Sequence, residues 1–298
     1  MALNKEIWES AIVEGLFADN SFLARALNHS PFANFKTVHV PNAGSAPAVT
    51  KNRSEYPAQA GNRQDYDLTY NLNEFTTEPI HITNIEEVEL SYDKRSSILG
   101  ATQAALKEAV AKDVLKAWVP DGYTLVKTTG AAVAHHLPSQ TGNRKKLTLA
   151  DIVAVKKEFD KANLPQDGRC FLLDYEMYSE LLDALSAVQS NAFLASADTA
   201  RGIVGKLYGF DFYMRSEVLR TVAAGTSLAS SAAATDQAAG IAWSDKFVSV
   251  AQGAVEIFAA EKDPTYYGDI ISALVRAGGS FMRYDKKGVV ILAQDTAA

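Results

Sequence analysis

Few residues in this chain stand at spacings that chemistry uses. The five histidines are His29, His39, His81, His135 and His136. His135 and His136 are adjacent, so on a strand or a helix they point in different directions. Zinc sites need His and Cys ligands converging at set spacings, and Cys170 is the only cysteine. Gly205-Lys206 has Ala200 where a phosphate-binding loop needs its first glycine and Leu207 where it needs Ser or Thr. No Gly-x-Gly-x-x-Gly fingerprint occurs, and Gly225-Thr226-Ser227-Leu228-Ala229 lacks the closing glycine of a nucleophile elbow. Asp65-Tyr66-Asp67 lies in a polar stretch and reads as a solvated turn rather than a metal-binding pair. Arg144-Lys145-Lys146 reads as an exposed loop before a helix. Cys170 opens the apolar run Cys170-Phe171-Leu172-Leu173, where a cysteine is a small buried hydrophobe rather than a reactive thiol. The sequence therefore offers no catalytic residue, no cofactor and no metal site. Catalytic groups often meet only in the fold, so a soluble α/β enzyme with an unrecognised site stands as an alternative.

Composition narrows the class further. A chain of 298 residues with 47% hydrophobic and 21% charged residues is globular and long enough for one large or two modest domains. Its formal charge of -6 argues against gripping nucleic acid through phosphates, which calls for a basic excess. A single cysteine excludes an intrachain disulfide and agrees with folding in a reducing cytoplasm. The start, Met1 to Glu6, lacks the basic and apolar regions of a signal peptide. No apolar run approaches the ~20 residues of a membrane helix. A soluble protein, made in the cytoplasm and without membrane contact, is expected.

The elements that must position these residues follow from periodicity. From Leu3 to Asn28, Ile7, Trp8, Ala11, Ile12, Leu16, Phe22, Leu23 and Leu27 predict two short amphipathic helical pieces. From Lys36 to Asp93, strand signals flank a polar stretch from Asn42 to Asp67, the pattern of a long hairpin with a polar tip. It holds too few large apolar residues for a core, and an isolated ribbon is marginal, so a neighbouring surface is expected to receive it. Leu99, Leu106, Val110, Val114 and Trp118 predict a long helix from Ser96 to Trp118, ended by Pro120-Asp121-Gly122. Thr148 and Asp151 predict an acidic capping box opening a helix that stops before Pro165. A buried strand is expected from Arg169 to Asp174, a helix from Tyr175 to Val188 and a strand from Gly205 to Met214. The Ala/Ser-rich stretch from Val222 to Gly240 reads as an exposed loop. Strands are expected at Val255–Phe258, Phe281–Tyr284 and Val289–Leu292, a short helix from Tyr266 to Arg276, and a tight hairpin turn at Asp285-Lys286-Lys287-Gly288.

In this order the parts resemble the major capsid proteins of tailed bacteriophages, the Hong Kong-type shell fold shared with encapsulins. Tyr92-Asp93-Lys94-Arg95-Ser96, leading into Gln103-Ala104-Ala105-Leu106 and Trp118-Val119-Pro120, is similar to the spine-helix region of phage coats. Gly205 to Phe212 resembles their strand after the axial-domain helices, and Asp263 to Asp269, followed by Gly278-Gly279-Ser280 and Lys286 to Val289, resembles their C-terminal peripheral region. The resemblance spans nearly the whole chain, and the order of parts carries it.

The resemblance implies an α+β fold with an N-terminal arm at 1–35, an extended β-hairpin loop at 36–93, a peripheral domain with the spine helix at 94–122 plus 254–298, and an axial domain at 123–253. It implies a structural protein, not an enzyme, that self-assembles as hexamers and pentamers into an icosahedral shell around a phage genome. An encapsulin-like compartment filled with protein is the alternative within the same fold. Implied partners are the chain itself, scaffolding, portal and decoration proteins, and packaged DNA met without sequence specificity, beside which an acidic surface would not stick. The implied location is the virion, after assembly in the host cytoplasm. No long scaffolding region precedes the arm, so a separate scaffold or none is implied. Lys51 lies in the loop where some relatives place a crosslinking lysine, but no motif names a partner for it. Aromatics and Arg are the usual interface anchors. The expected contacts are therefore Trp8, Ile12 and Phe17 on the arm, Lys51, Arg53 and Arg63 on the loop tip, and Tyr266, Tyr267 and Arg276 on the peripheral domain. Ordinary packing within the chain is the competing role for Trp8 and the tyrosines.

Overall fold

A computed structural model describes residues 19–32, 37–44, 47–54, 56–57, 61–83, 94–229 and 233–297. The helical pieces expected before Asp19 and the strand expected at Val88, Leu90 and Tyr92 lie outside them. Phe22 and Leu23 sit in a short 3-10 turn, Ser21–Arg25, and not in an α-helix. Beyond it, β1 (Leu27–Asn28) pairs in parallel with a later strand. The predicted ribbon is present as β2 (Thr37–Asn42) and β3 (Tyr66–Asn71), paired from Thr37↔Asn71 to Asn42↔Tyr66. Tyr66 and Asp67 thus belong to a strand rather than a loop, and Asp67 Oδ2 lies 2.7 Å from His39 Nδ1 across the ribbon. Two further strands, β4 (Asn73–Thr76) and β5 (Ile80–Thr83), leave the ribbon for another sheet.

The long helix α1 (Lys94–Ala117) forms where its apolar spacing predicts, and at 1.5 Å per residue it spans about 36 Å. Leu106, Val110, Val114 and Leu115 are buried along it, and Trp118 just beyond its end is fully buried. The chain continues through β6 (Thr124–Lys127), β7 (Ala132–Ala134) and β8 (Asn143–Lys145). Helix α2 (Leu149–Lys161) opens as predicted, with the Thr148 backbone N–H donating to Asp151 Oδ2 at 2.9 Å. After the fully buried β9 (Arg169–Asp174), the expected single helix is two: α3 (Tyr175–Ala184) and α4 (Ala187–Ala195). Ser186 restarts the helix, because its backbone N–H and Oγ both reach Gln189 Oε1, a capping box inside the run. The expected strand from Gly205 to Met214 is a hairpin, β10 (Gly205–Leu207) and β11 (Phe210–Arg215). Tyr208 and Gly209 both adopt positive φ, 51° and 86°, the requirement of a two-residue primed turn.

Two expectations in the C-terminal third are overturned. After β12 (Leu219–Thr221), β13 (Gln237–Ser244) is buried at every position, so the Ala/Ser-rich loop ends at Asp236 and not at Gly240. Small residues are there for close packing: a Cβ on Gly240 would stand 2.9 Å from the Leu172 carbonyl oxygen. The strands β14 (Val248–Gln252) and β15 (Glu256–Asp263) are followed by β16 (Gly268–Phe281), fourteen residues of strand where a helix was expected from Tyr266 to Arg276. Partners on both edges decide the matter. β14 and β15 pair along one edge of β16, and β4 and β5 along the other. β16 ends at Phe281, so the strand expected from Phe281 to Tyr284 does not form. The chain ends with β17 (Val289–Ala293) and β18 (Thr296–Ala297). The turn at 285–288 forms, with Lys286 and Gly288 at positive φ, but it joins strands of two different sheets and makes no hairpin.

The larger sheet has the order β10-β11-β9-β13-β17-β6, with β12 also on β13. It is buried on both faces. Cys170, Leu172, Ile241, Trp243 and Ile291 face α1, Phe22 and Trp118, while Phe171, Leu173, Ala242 and Leu292 face α2, α3 and α4. Strand pairing puts residues 289–297 with this sheet and its β8 annex, whereas β14 pairs with β16, so the pairing does not follow the expected 253/254 boundary. Trp118 Nε1 donates to the Ser249 carbonyl at 2.8 Å and Trp243 Nε1 to the Arg25 carbonyl at 2.9 Å, pinning α1, β14 and the 19–28 segment to one centre.

Candidate assembly surfaces

Chemistry first: the described residues gather no catalytic set. Cys170 is fully buried, and burial pushes its thiol up to about 11 against the opposing pull of Arg25 Nε, which reaches Sγ at 3.4 Å. His136 Nε2 lies 2.9 Å from Asp174 Oδ2, but that carboxylate also caps α3 by accepting from the Met177 N–H at 2.7 Å. Among the described residues no three His, Cys, Asp or Glu side chains are placed to hold a metal. A polar hollow of about 380 Å³ includes Arg25, Arg169, Lys206 and Asp211 in its lining. Its charges are already paired: Asp211 with Arg25 at 3.0 Å and Lys206 at 3.2 Å, and Arg169 with Asp160 at 2.8 Å. No described helix is long and apolar enough to cross a membrane.

Surfaces are more informative than pockets. The β2–β3 ribbon is rooted by Val38, Val40, Tyr70 and Leu72, which are buried against Ala251 of β14. Leu72 Cδ2 is so close to Gly278 that a Cβ there would stand 3.0 Å away. Past the ladder the described residues from 47 to 65 are exposed, Val49 almost completely at 96%. Lys51 sits in a turn with Asn52, Arg53 is exposed, and Arg63 is held by Asp65 at 2.7 Å. Asp65 also accepts from the Gly44 N–H, and these bonds hold its carboxyl below the usual range, chiefly through Arg63.

The β15–β16 hairpin is the second exposed projection. At its tip the Asp263 carbonyl accepts from the Tyr266 and Tyr267 N–H groups, leaving Tyr266 54% and Tyr267 81% exposed. Behind them Ile80, Ile257 and Phe258 are also exposed, three apolar side chains the sequence reading missed. Ile257 and Phe258 are consecutive on β15 and Ile80 lies on β5, so alternation along one strand could not have marked them. Arg276 pairs with Glu74 at 2.7 Å across β16 and β4, and at about 3.3 Å per residue it lies roughly 30 Å along the strand from Tyr267. Trp8, Ile12 and Phe17 fall outside the described residues. The expected contact residues are thus not drawn into one site; those described lie on separate projections. Helix α4 is a further surface missed from sequence, uncharged, with Val188 80% exposed and Phe193 its one buried residue.

The other end of the larger sheet is different again. Arg144, expected in an exposed loop, is buried in β8, with Nη1 2.6 Å from Glu180 and Nη2 3.3 Å from Glu176. A buried guanidinium needs such partners, and α3 supplies both. Glu180 also accepts from the Leu147 N–H. Lys127 and Lys145 converge on Asp295 at 2.9 and 2.7 Å, and they hold that carboxyl below the usual range.

No protein-family model matches the sequence, and no curated protein does. Solved structures do match in shape. A chain from Mycobacterium phage Che8 aligns with TM-score 0.64 and 19% identity over 96% of this chain and 95% of its own. The capsid asymmetric unit of cyanophage Pam1 gives 0.68 and 11% over 98% and 96%. The capsid of a native GTA particle gives 0.63 and 13% over 97% and 94%. The α+β fold expected from the order of parts is therefore the fold of this chain, shared with phage capsid structures end to end.

Proposed function

We propose that this chain is the major capsid protein of a tailed phage, a structural subunit that assembles as hexamers and pentamers into an icosahedral shell around the genome. One observation carries the reading: the likeness to the cyanophage Pam1 capsid chain covers 98% of this chain and 96% of that one, rather than a shared core alone. The shape of the chain supports it. A ribbon without a core of its own and a hairpin carrying exposed Ile257, Phe258, Tyr266 and Tyr267 are surfaces that other subunits would cover. The contact residues on this reading are Trp8, Ile12 and Phe17 on the arm, Lys51, Arg53 and Arg63 on the ribbon tip, and Tyr266, Tyr267 and Arg276 on the long hairpin. The protein catalyses nothing, meets DNA only as packed content, and ends in the virion after assembly in the host cytoplasm. Scaffolding, portal and decoration proteins would be its further partners.

The test is negative-stain electron microscopy with sedimentation velocity on the purified chain. Closed shells or discrete pentamers and hexamers are expected. A compact monomer under all conditions, including with a phage scaffold supplied, would overturn the reading in favour of a soluble enzyme. Shells filled with a protein cargo would instead place the chain with encapsulin-like compartments.

A further inference from the structure

From a buried guanidinium that lacks a carboxylate, we infer that Glu108 is a two-position ion-pair switch, which exchanges Lys112 on the outer face of α1 for Arg215 of β11 and so clamps α1 to the larger sheet. The inference does not depend on the shell reading.

Arg215 is the starting observation. It ends β11 two residues after Tyr213, so both point to the same face of the sheet. That face is covered by α1, where Tyr213 shares a core with Leu106, Val110 and Ala111. Arg215 is 2% exposed. Its Nη1 donates to the Glu217 carbonyl at a long 3.4 Å. Its Nε and Nη2 are buried and have no hydrogen-bond partner among the described residues. These two nitrogens form one edge of the guanidinium, the edge that takes a carboxylate through two parallel bonds. An unpaired buried charge is costly, and a fork of this shape fits a carboxylate. Burial lowers the pKa of Arg215 against the pull of Glu108, Glu217 and Asp19.

Of those three acids, two are committed elsewhere. Glu217 holds Arg220 at 2.6 Å. Asp19 Oδ1 and Oδ2 accept from the Ser21 N–H and Oγ at 3.0 and 2.7 Å, at the start of the 3-10 turn. Glu108 is the movable one, and it acts on Arg215 most strongly of the three. Its carboxylate meets Lys112 at 2.8 Å, one turn further along α1. The Lys112 side chain is 52% exposed, so water can replace Glu108 there. Surface pairs of this kind contribute little. Glu108 also stands three residues before Ala111 and seven before Leu115, both fully buried, so it lies on the stripe of α1 that turns inward.

The two positions hold different things. On Lys112, the carboxylate joins two residues of α1 to each other. On Arg215, a charge-assisted pair in a buried place ties the middle of α1 to the end of β11. An anion that takes Lys112 from outside frees Glu108 to turn in. One side chain thereby couples the outer face of α1 to the core of the larger sheet.

The experiment uses the full chain carrying Lys112→Gln, which removes the outer position and leaves the inner one intact. In that background, Glu108→Gln, Arg215→Gln and the pair of them complete a double-mutant cycle read by urea unfolding. Glu108 and Arg215 should couple by about tenfold or more in the unfolding constant. Glu108 and Lys112, cycled in the otherwise unsubstituted chain, should couple by less than about threefold. A smaller coupling than that expected between Glu108 and Arg215 would overturn the inference. A high-resolution structure of the Lys112→Gln chain gives the second readout, which stands even where Arg215→Gln does not fold. It should place the Glu108 carboxylate within hydrogen-bond distance of Arg215 Nε and Nη2. A carboxylate left in solvent, with water alone on the guanidinium, would overturn the inference as well.

Discussion

The ribbon tip and the far end of the larger sheet are both built from short strands and long connections, yet they handle charge in opposite ways. Between its last ladder residues the ribbon carries Lys51, Arg53, Glu55, Arg63 and Asp65, and its described residues from 47 to 65 are exposed. The far end has no charged residue in 128–143 or 222–235 and buries the paired Arg144 just beside them. A projection that lands on a different patch of its neighbour can use charge for register, because the two patches differ and can be complementary. The foundations differ as well. The ribbon is rooted by a small cluster around Val38, Val40, Tyr70 and Leu72, while the far end is tied to α3 through Arg144, Glu180, His136 and Asp174. Ribbon changes should therefore be read in assembly, and changes to the buried ion pairs of the far end in the stability of the subunit.

The largest effect should come from removing the ribbon tip. Replacing residues 43–65 with a two-residue turn retains the ladder from Thr37 to Asn42, so the subunit should melt within a few degrees of the intact chain. It should form no closed shells by electron microscopy. Normal particles from that deletion would dissolve the contrast.

At the far end, Glu180→Ala leaves the Arg144 guanidinium buried without its 2.6 Å partner. Breaking a buried pair from one side costs about 3–5 kcal/mol, and urea unfolding of the subunit should show it. A loss under about 1 kcal/mol would mean that Glu176 alone holds the arginine, and that the far end is less rigidly built than its burial suggests.

Asp295 sharpens the comparison through pH. Lys145 and Lys127 depress its folded pKa below the unfolded carboxyl value, which is ~3.9. The stability it contributes is then present above that value and lost as pH falls through the depressed folded pKa. Asp295→Asn should flatten the acid limb of a stability–pH curve below about pH 4 and leave the region above pH 7 parallel to the unsubstituted chain.

The smallest effect on the subunit should come from Lys51→Gln with Arg53→Gln. Exposed substitutions of this kind stay within about 0.5 kcal/mol in unfolding. On the proposed contact role, the same pair should slow assembly measured by light scattering, more at low salt than at high. Equal slowing at all salt concentrations would assign the tip a role in shape alone.

Some of this architecture was decided by residues close together in sequence. The spacing of Leu106, Val110, Val114 and Trp118 places α1 whatever it packs against, and Thr148 with Asp151 starts α2 by a bond within four residues. The apolar run Cys170 to Leu173, too short for a helix, is a buried strand. The order of ribbon, long helix and mixed α/β region was likewise legible, because each part announces itself by period or by punctuation. The projecting surfaces were legible only as segments, since exposure of Ile257, Phe258 and Val188 depends on what does not cover them.

Long-range pairing decided the rest. Tyr266 to Arg276 has residues that suit either state, and from Gly268 onward it is a strand because β15 borders it on one edge and β4 and β5 on the other. Ala238-Ala239-Gly240 looks like loop material, but the sheet buries it, and at Gly240 Leu172 and Leu173 approach too closely for a larger residue. Arg144 is an ordinary basic residue until α3 brings Glu180 and Glu176 to it from more than thirty positions away. The sequence alone determined α1, α2 and the buried run of β9, since those are set by neighbours along the chain. Only the tertiary structure decided which of them are covered, because burial and charge pairing depend on partners that the chain reaches by folding back on itself.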